Sequence, residues 1–153
     1  MKTPMRLLCA LVGCLSLATL PGCTTPAAKE AVRFPAMPLV DTHWRLAQLG
    51  DEVIDNPPGE RDVHIVLQSK DPTVTGNAGC NSMFGAYALN GDSIRFDQMG
   101  GTRMFCQGRM NLEQKFLAIF ATITRWKIVG QTLQLFDSSG AVVATFEAAM
   151  ATG

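Results

Sequence analysis

One amphipathic helix, set among many short β-strands, most constrains what this chain can fold into. The residues of its apolar stripe recur at helical spacing: Leu112, Phe116, Ile119, Phe120 and Ile123. A lone helix cannot bury such a stripe by itself, so other elements of the chain must cover it.

Short apolar runs on both sides of the helix predict the strands that cover it. The predicted strands span residues 44–49, 63–67, 73–76, 84–89, 93–96, 126–129, 132–136 and 142–146. Asn90-Gly91 is predicted to be the two-residue loop of a hairpin. We therefore expect an α+β fold, mostly antiparallel β, with a curved sheet or incomplete β-barrel wrapped around the helix.

The start of the helix is predicted from its capping residues. Asn111 is the expected N-cap, and Gln114 follows three residues later, as in a capping box. Glu113 then falls in the first turn, where the helix dipole favours a negative charge.

The N-terminus has the three parts of an export signal: basic residues, an apolar core and small residues before a cleavage site. Its apolar stretch, residues 7–20, is shorter than the ~20 residues that span a bilayer. We expect residues 1–22 to be a lipoprotein signal peptide and Cys23 to be the lipid anchor, labelled by palmitate. Two alternatives are an anchor at Cys14 and cleavage without lipidation, which would give a soluble periplasmic protein.

The residues after the anchor predict location and domain organisation. The chain resembles Gram-negative lipoproteins, in which retention at the inner membrane usually needs Asp after the anchor. By this resemblance, Thr24 favours the periplasmic face of the outer membrane. Residues 23–38, rich in Thr, Pro and Ala, are expected to be a flexible tether. Residues 39–153 are enough for one domain with a modest core.

The charge balance argues against one class of partner, and the cysteine content predicts a disulfide. The chain has 13 basic and 13 acidic residues, and no basic stripe remains once the signal is removed, so we expect no nucleic-acid partner. Two cysteines, Cys80 and Cys106, remain beyond the anchor. In an oxidising periplasm such a pair most often forms a disulfide, and two buried thiols are the alternative.

A Gly-rich turn carries the most distinctive motif. In residues 76–81 the glycines allow a tight turn, and the amide of Asn81 can satisfy backbone groups. Further motifs agree with it in order: Trp44, Gly79-Cys80-Asn81, Gly85, Tyr87, Thr102-Arg103-Met104-x-Cys106, Glu113-Gln114 and Leu133-x-Leu135. Together these residues, over roughly 40–146, resemble the META domain, or HslJ-like heat-shock lipoprotein, family.

The resemblance implies an antiparallel sheet curled around a helix. It also implies an envelope protein linked to heat shock or antibiotic tolerance, with no known enzymatic reaction. Some relatives are similar in fold to pilot lipoproteins of secretion channels, which suggests a lipid carrier or assembly factor by analogy of fold alone.

Residues typical of catalysis or metal binding are sparse. His64 is expected to be a hydrogen-bonded structural residue and His43 to be solvated, so we expect no metal site and no cofactor. The acidic residues 51, 52 and 55 are expected to form a solvated loop. Met99, Met104 and Met110 are expected to fill the core, and Arg103 to form a surface ion pair or reach a partner.

The sequence thus predicts a lipid-anchored periplasmic module without enzymatic activity, acting in envelope stress tolerance by binding a protein or lipid partner or by maintaining the outer membrane. The alternatives are a carrier of acyl chains, a pilot-like assembly factor for an outer-membrane channel, and a hydrolase or inhibitor with an unrecognised site.

Overall fold

The computed structural model describes residues 35–57 and 60–149. The predicted signal peptide, Cys23 and most of the predicted tether lie outside these residues. The elements, in chain order, are β1 (Trp44–Leu49), β2 (Glu52–Val53), β3 (His64–Leu67), β4 (Thr73–Asn77), β5 (Ser82–Asn90), β6 (Ser93–Gly101), α1 (Met110–Ile119), β7 (Ile123–Val129), β8 (Thr132–Asp137) and β9 (Val142–Ala148). None of the described residues forms a helix with the length and hydropathy that crossing a bilayer requires.

The strands form one antiparallel sheet that closes on itself. From β3 to β9 each strand pairs with the next along the chain, and β1 pairs with both β3 and β9. These eight strands make a barrel, and β2 extends it beside β1. The prediction of an α+β, mostly antiparallel fold with one helix is therefore confirmed. Closure leaves few unpaired strand edges.

The thinnest ladder of the barrel, which we call the seam, lies between β6 and β7. Ser93 and Arg125 form the single residue pair of this ladder, and the N–H of Trp126 adds a hydrogen bond to the carbonyl of Asp92 at 2.9 Å. The β1–β9 ladder, by comparison, has five residue pairs. Helix α1 connects the two strands of the seam.

The core combines the inward faces of the strands with one face of α1. Phe116 and Phe120 are almost fully buried and meet edge to face, with ring centroids 5.2 Å apart. Phe120 also packs on Phe96 of β6, and Phe116 packs on Phe146 of β9. Aromatic pairs of this kind contribute about 0.5–1.5 kcal/mol beyond their buried area. The helix is thus packed onto the sheet rather than separated from it by a cavity.

The predicted helix boundaries are wrong at both ends. Arg109 is the N-cap, makes no side-chain capping bond, and leaves Asn111 inside the helix. The chain enters the helix earlier because a turn, in which the N–H of Arg109 donates to the carbonyl of Cys106 at 3.2 Å, precedes it. At the other end α1 stops at Ile119, so Ile123 contributes to the core from β7.

One detail of the strands also differs from the prediction. Asn90 pairs with Ser93, so the hairpin loop is Gly91-Asp92 and not Asn90-Gly91. Gly91 alone of the two has a positive φ, of 61°, and glycine in the first loop position is the preference of a type II′ turn. In β3 burial alternates, so only one of its faces lies in the core.

Candidate functional site

The family-like motifs, far apart in sequence, meet at one place on the barrel. The Gly-Cys-Asn turn joins β4 to β5, the Thr-Arg-Met-Phe-Cys segment follows β6, and Glu113 lies in the first turn of α1. We call the residues that bind these three segments together the motif clamp: Cys80, Asn81, Thr102, Met104, Cys106 and Glu113.

Glu113 is the centre of the motif clamp. Its side chain is buried, with 6% exposed, although it carries a carboxyl group. One oxygen, Oε2, accepts hydrogen bonds from the backbone N–H of Asn81 at 2.8 Å and of Cys80 at 3.3 Å. The other, Oε1, accepts from Nδ2 of Asn81 at 2.8 Å. Three donors and the positive end of the helix dipole compensate the buried carboxylate.

Asn81 uses both ends of its side-chain amide. Besides the bond to Glu113, Nδ2 donates to the carbonyl of Met104 at 3.0 Å. Its Oδ1 accepts from Oγ1 of Thr102 at 2.8 Å and from the N–H of Met104 at 2.7 Å. Only an amide combines two donors with an acceptor in this shape, so Asp or Leu cannot replace it without loss. The expectation that this amide satisfies backbone groups is confirmed.

A covalent bond links two of the same segments. Cys80 and Cys106 form a disulfide across 26 residues, with Cα atoms 5.7 Å apart. Segment 102–106 is therefore held at one end by the amide of Asn81 and at the other by the disulfide.

The remaining motif residues are structural. Gly79 has φ of +118°, a conformation that residues with a Cβ rarely adopt. A Cβ on Gly85 would lie 2.4 Å from Sδ of Met99 across the ladder, so β5 and β6 approach closely there. Trp44 is fully buried and donates from Nε1 to the carbonyl of Leu39 at 2.8 Å. The hydroxyl of Tyr87, also a buried residue, donates to the carbonyl of Gln68 at 2.9 Å.

The middle of segment 102–106 faces solvent. Arg103 is exposed, Met104 is 53% exposed and Phe105 is 82% exposed. The prediction that Met104 fills the core is therefore wrong. Its backbone N–H and carbonyl are hydrogen-bonded to Asn81, and its side chain is directed outward. The motif clamp thus presents two apolar side chains on a segment whose backbone is fixed.

The role of Glu113 was not predicted from the sequence. A Glu in the first turn of a helix is an ordinary feature, and the dipole alone accounts for it. The available signal was its spacing: Glu113 precedes Phe116 by three residues and Phe120 by seven, so it lies in line with the apolar stripe. An acidic residue on the buried face of a helix indicates that another segment of the chain donates hydrogen bonds to it.

A second polar cluster lies where β1 and β3 begin. Nε2 of His43 lies 2.9 Å from Oδ2 of Asp62, and Nδ1 of His64 lies 3.2 Å from Oδ1 of the same carboxylate. The two imidazole rings stack, with centroids 4.0 Å apart. His64 is hydrogen-bonded as predicted, whereas His43 is half-buried in this cluster and not simply solvated.

Burial lowers the pKa of the His64 imidazole, and this outweighs the opposing effect of Asp62. Burial acts to raise the pKa of Asp62, but the hydrogen bond from His43 and the charges of both imidazoles lower it overall. In the part of the chain that the structure describes, these three residues are the one group whose ligand atoms converge closely enough for a metal ion.

The acidic residues near β2 do not form a site of this kind. Asp51, Glu52 and Asp55 are exposed, and Glu52 accepts a hydrogen bond from Nζ of Lys115 at 2.8 Å. The expected solvated loop therefore includes the short strand β2, which was not predicted.

A surface depression of about 500 Å³ lies beside His64. Two smaller depressions lie elsewhere on the barrel. One, of about 320 Å³, lies beside the disulfide and is bordered by the ion pair of Arg109 with Glu60. The other, also about 320 Å³, is an apolar groove at the β6–β7 seam, lined by residues that include Leu89, Ile94 and Ile123. Both are open to solvent, and the packed aromatic cluster of α1 lies apart from their lining residues.

Comparison with known proteins agrees with this fold and these motifs. The sequence profile of the META domain matches residues 37–150, most of the chain. The chain therefore belongs to the META domain family. The start of the match agrees with the backbone, since Met37 donates a hydrogen bond to Gly130 at 3.0 Å.

Two solved structures share the fold. An NMR structure of a protein from Burkholderia xenovorans has a TM-score of 0.62 and 24% identity, covering 82% of this chain and 97% of that one. A second NMR structure has a TM-score of 0.58 and 16% identity, covering 75% of this chain and 95% of that one. No functionally curated protein matches the chain.

Proposed function

We propose that this chain is a lipid-anchored, non-enzymatic module at the periplasmic face of the outer membrane, which supports envelope stress tolerance by binding a partner protein. The single observation that carries the proposal is the presentation of Phe105, 82% exposed, on a segment fixed by the motif clamp. Cys23 would hold the domain at the membrane, and residues 23–38 would let it reach its partner.

The fixed backbone makes segment 102–106 suited to binding. Single exposed apolar residues are common on proteins and need no explanation. Here Phe105 adjoins Met104, whose N–H and carbonyl both bond to Asn81. Aromatic residues and Met are enriched at protein interfaces, and a preformed segment loses little conformational entropy on binding.

The polar groups of the motif clamp support a role without catalysis. The side-chain atoms of Asn81 and Glu113 are engaged with each other and with backbone groups, so none is directed at a substrate. In the described residues, the hydrogen bonds of His43 and His64 go to Asp62 and not to a hydroxyl or thiol. An activated nucleophile would need such a bond to its base.

A carrier of acyl chains is the second candidate, and the apolar groove at the β6–β7 seam favours it. The aromatic packing between α1 and the sheet favours the protein-binding module instead, because it fills the place where an enclosed chain would lie. Native mass spectrometry of the purified protein distinguishes the two, since a carrier should retain a lipid beyond its own anchor.

The function is tested by complementing a strain that lacks its own copy of the gene. The unaltered chain should restore survival at elevated temperature. Phe105→Ser should weaken partner binding at least ~10-fold, or about 1.4 kcal/mol, and so restore survival less well. Cys23→Ala should lose palmitate labelling and also fail to complement. Val129→Ser, at an apolar position 60% exposed and outside the motif clamp, is the matched control and should behave as the unaltered chain.

A photo-crosslinking residue at position 105 provides the direct readout of binding. We expect one discrete protein adduct from position 105 and none from position 129. Full complementation by Phe105→Ser, at normal abundance, would rule out this segment as the binding surface. Palmitate labelling that persists in Cys23→Ala would move the anchor to another cysteine.

A further inference from the structure

We propose that His43, Asp62 and His64 form a three-ligand binding site for a divalent metal ion of the Zn²⁺ class. Their ligand atoms all lie within 4.8 Å of one another. Two imidazole nitrogens and one carboxylate oxygen are a donor set that Zn²⁺ uses in proteins, with a water or another ligand in the fourth position.

The strand register brings the three residues to one face. Trp44 pairs with Ile65 and Arg45 with His64, and Trp44 and Ile65 are fully buried. Residues alternate between the two faces of a strand, so His43, directly before β1, and His64, at the start of β3, both lie outward in diagonal positions. Asp62 precedes His64 by two residues and reaches the same side.

The distances suit tetrahedral coordination. Bonds of about 2.0–2.1 Å to Zn²⁺ separate neighbouring ligand atoms by about 3.3 Å. The observed separations are 2.9 Å from Nε2 of His43 to Oδ2 of Asp62 and 3.2 Å from Nδ1 of His64 to Oδ1 of Asp62. A metal ion would replace these hydrogen bonds, and the two stacked imidazole rings, with centroids 4.0 Å apart, would turn toward it.

The backbone around the ligands is fixed, so the site is largely preformed. The carbonyl of His43 accepts a hydrogen bond from the N–H of Ala149 at 2.9 Å, and His64 pairs with both Arg45 and Asn77. The side chains remain 38%, 31% and 22% exposed for His43, Asp62 and His64 respectively. An ion can thus enter from solvent and keep an open coordination position.

The donor set also restricts the kind of metal. Mg²⁺ and Ca²⁺ prefer all-oxygen sites, whereas imidazole favours Zn²⁺, Ni²⁺ and Cu²⁺. In this domain Cys80 and Cys106 are in the disulfide, so they do not supply thiolate ligands.

The test is a titration of the untagged full chain with Zn²⁺, after alkylation of any thiols so that Cys9, Cys14 and Cys23 cannot contribute. Calorimetry should show one ion per chain. The chain has only two histidines, so NMR should show both imidazole signals shift together at one equivalent. His43→Gln, Asp62→Asn and His64→Gln should each weaken binding at least ~10-fold, because loss of even an outer-shell partner costs 10–100-fold.

The unfolding temperature provides a readout in the same samples. Zn²⁺ in excess should raise it for the unaltered chain, since binding to the native state alone stabilises that state, and not for the variants. Asp51→Asn, at an exposed acidic residue outside the cluster, is the matched control and should bind as the unaltered chain. His43→Gln lies outside β1 and keeps the test valid if His64→Gln does not fold. Equal affinity in the unaltered chain and in folded His43→Gln, or separate shifts of the two imidazoles, would overturn the proposal.

Discussion

Replacing Glu113 by Ala is expected to lower the free energy of unfolding by about 3–5 kcal/mol, because three buried donors lose their acceptor. The change leaves the N–H groups of Cys80 and Asn81 and Nδ2 of Asn81 without the acceptor that they now share. Each buried unsatisfied polar group costs about 1–3 kcal/mol. Urea denaturation followed by tryptophan fluorescence measures the change.

Two further variants separate hydrogen bonding from helix propensity. Gln114→Ala changes the exposed neighbour of Glu113 and should alter stability by less than about 0.5 kcal/mol. Glu113→Gln keeps the shape but places a donor where an acceptor is needed, so its loss should lie between those of the other two. A Glu113→Ala variant as stable as Gln114→Ala would show that this carboxylate does not hold the three segments.

Loss of the disulfide is expected to lower the free energy of unfolding by about 3–4 kcal/mol. The bond joins residues separated by 26 positions, and the chain-entropy model gives this range for such a loop. The comparison is between the unaltered chain and Cys80→Ala/Cys106→Ala, each with and without a phosphine reductant. The double variant should match the reduced unaltered chain.

The reductant itself serves as the control for this prediction. It should weaken the unaltered chain and leave the double variant unchanged, since no other pair of cysteines is bonded in the described residues. If reduction leaves the denaturation midpoint of the unaltered chain where it was, the disulfide does not restrain the unfolded state.

Local sequence patterns were sufficient to predict most of the strands and the helix. They were not sufficient to predict that the sheet closes into a barrel. The alternation in β8, where Leu133 and Leu135 are buried between half-buried neighbours, was readable from the sequence. The β1–β9 ladder was not, because it pairs residues about a hundred positions apart and depends on the shape of the whole sheet. The end of α1 was also missed, since Phe120 and Ile123 keep helical spacing after the helix has stopped.

The parts of the candidate site that could be predicted are those in which a residue type has one dominant structural role. The amide of Asn81 beside glycines suggested backbone capping, and the structure has that arrangement. The partnership of Asn81 with Glu113 and the cluster of His43 with His64 were not readable, because each depends on which strands and helix become neighbours. Exposure of Phe105 likewise follows from the motif clamp and not from local hydropathy.

The motif clamp gives the family motif a structural role, and the partner binding that we propose belongs to the segment that it holds. Because the disulfide and the Asn81–Glu113 bond both hold the Gly-Cys-Asn turn, through adjacent residues, their effects on stability should not be additive. Weakening either bond should also mobilise residues 102–106 and so reduce partner binding indirectly.

The most direct test of this account is a double-mutant cycle on Asn81→Ala and Glu113→Ala, measured by urea denaturation. The account predicts large single losses that are not additive, with a coupling energy of about 1–3 kcal/mol for the bond between Nδ2 and Oε1. Single losses below about 0.5 kcal/mol, the range of ordinary surface substitutions, or losses that simply add, would contradict it. Such a result would mean that Asn81 and Glu113 do not stabilise the fold as a pair and would make them candidates for contacting a ligand.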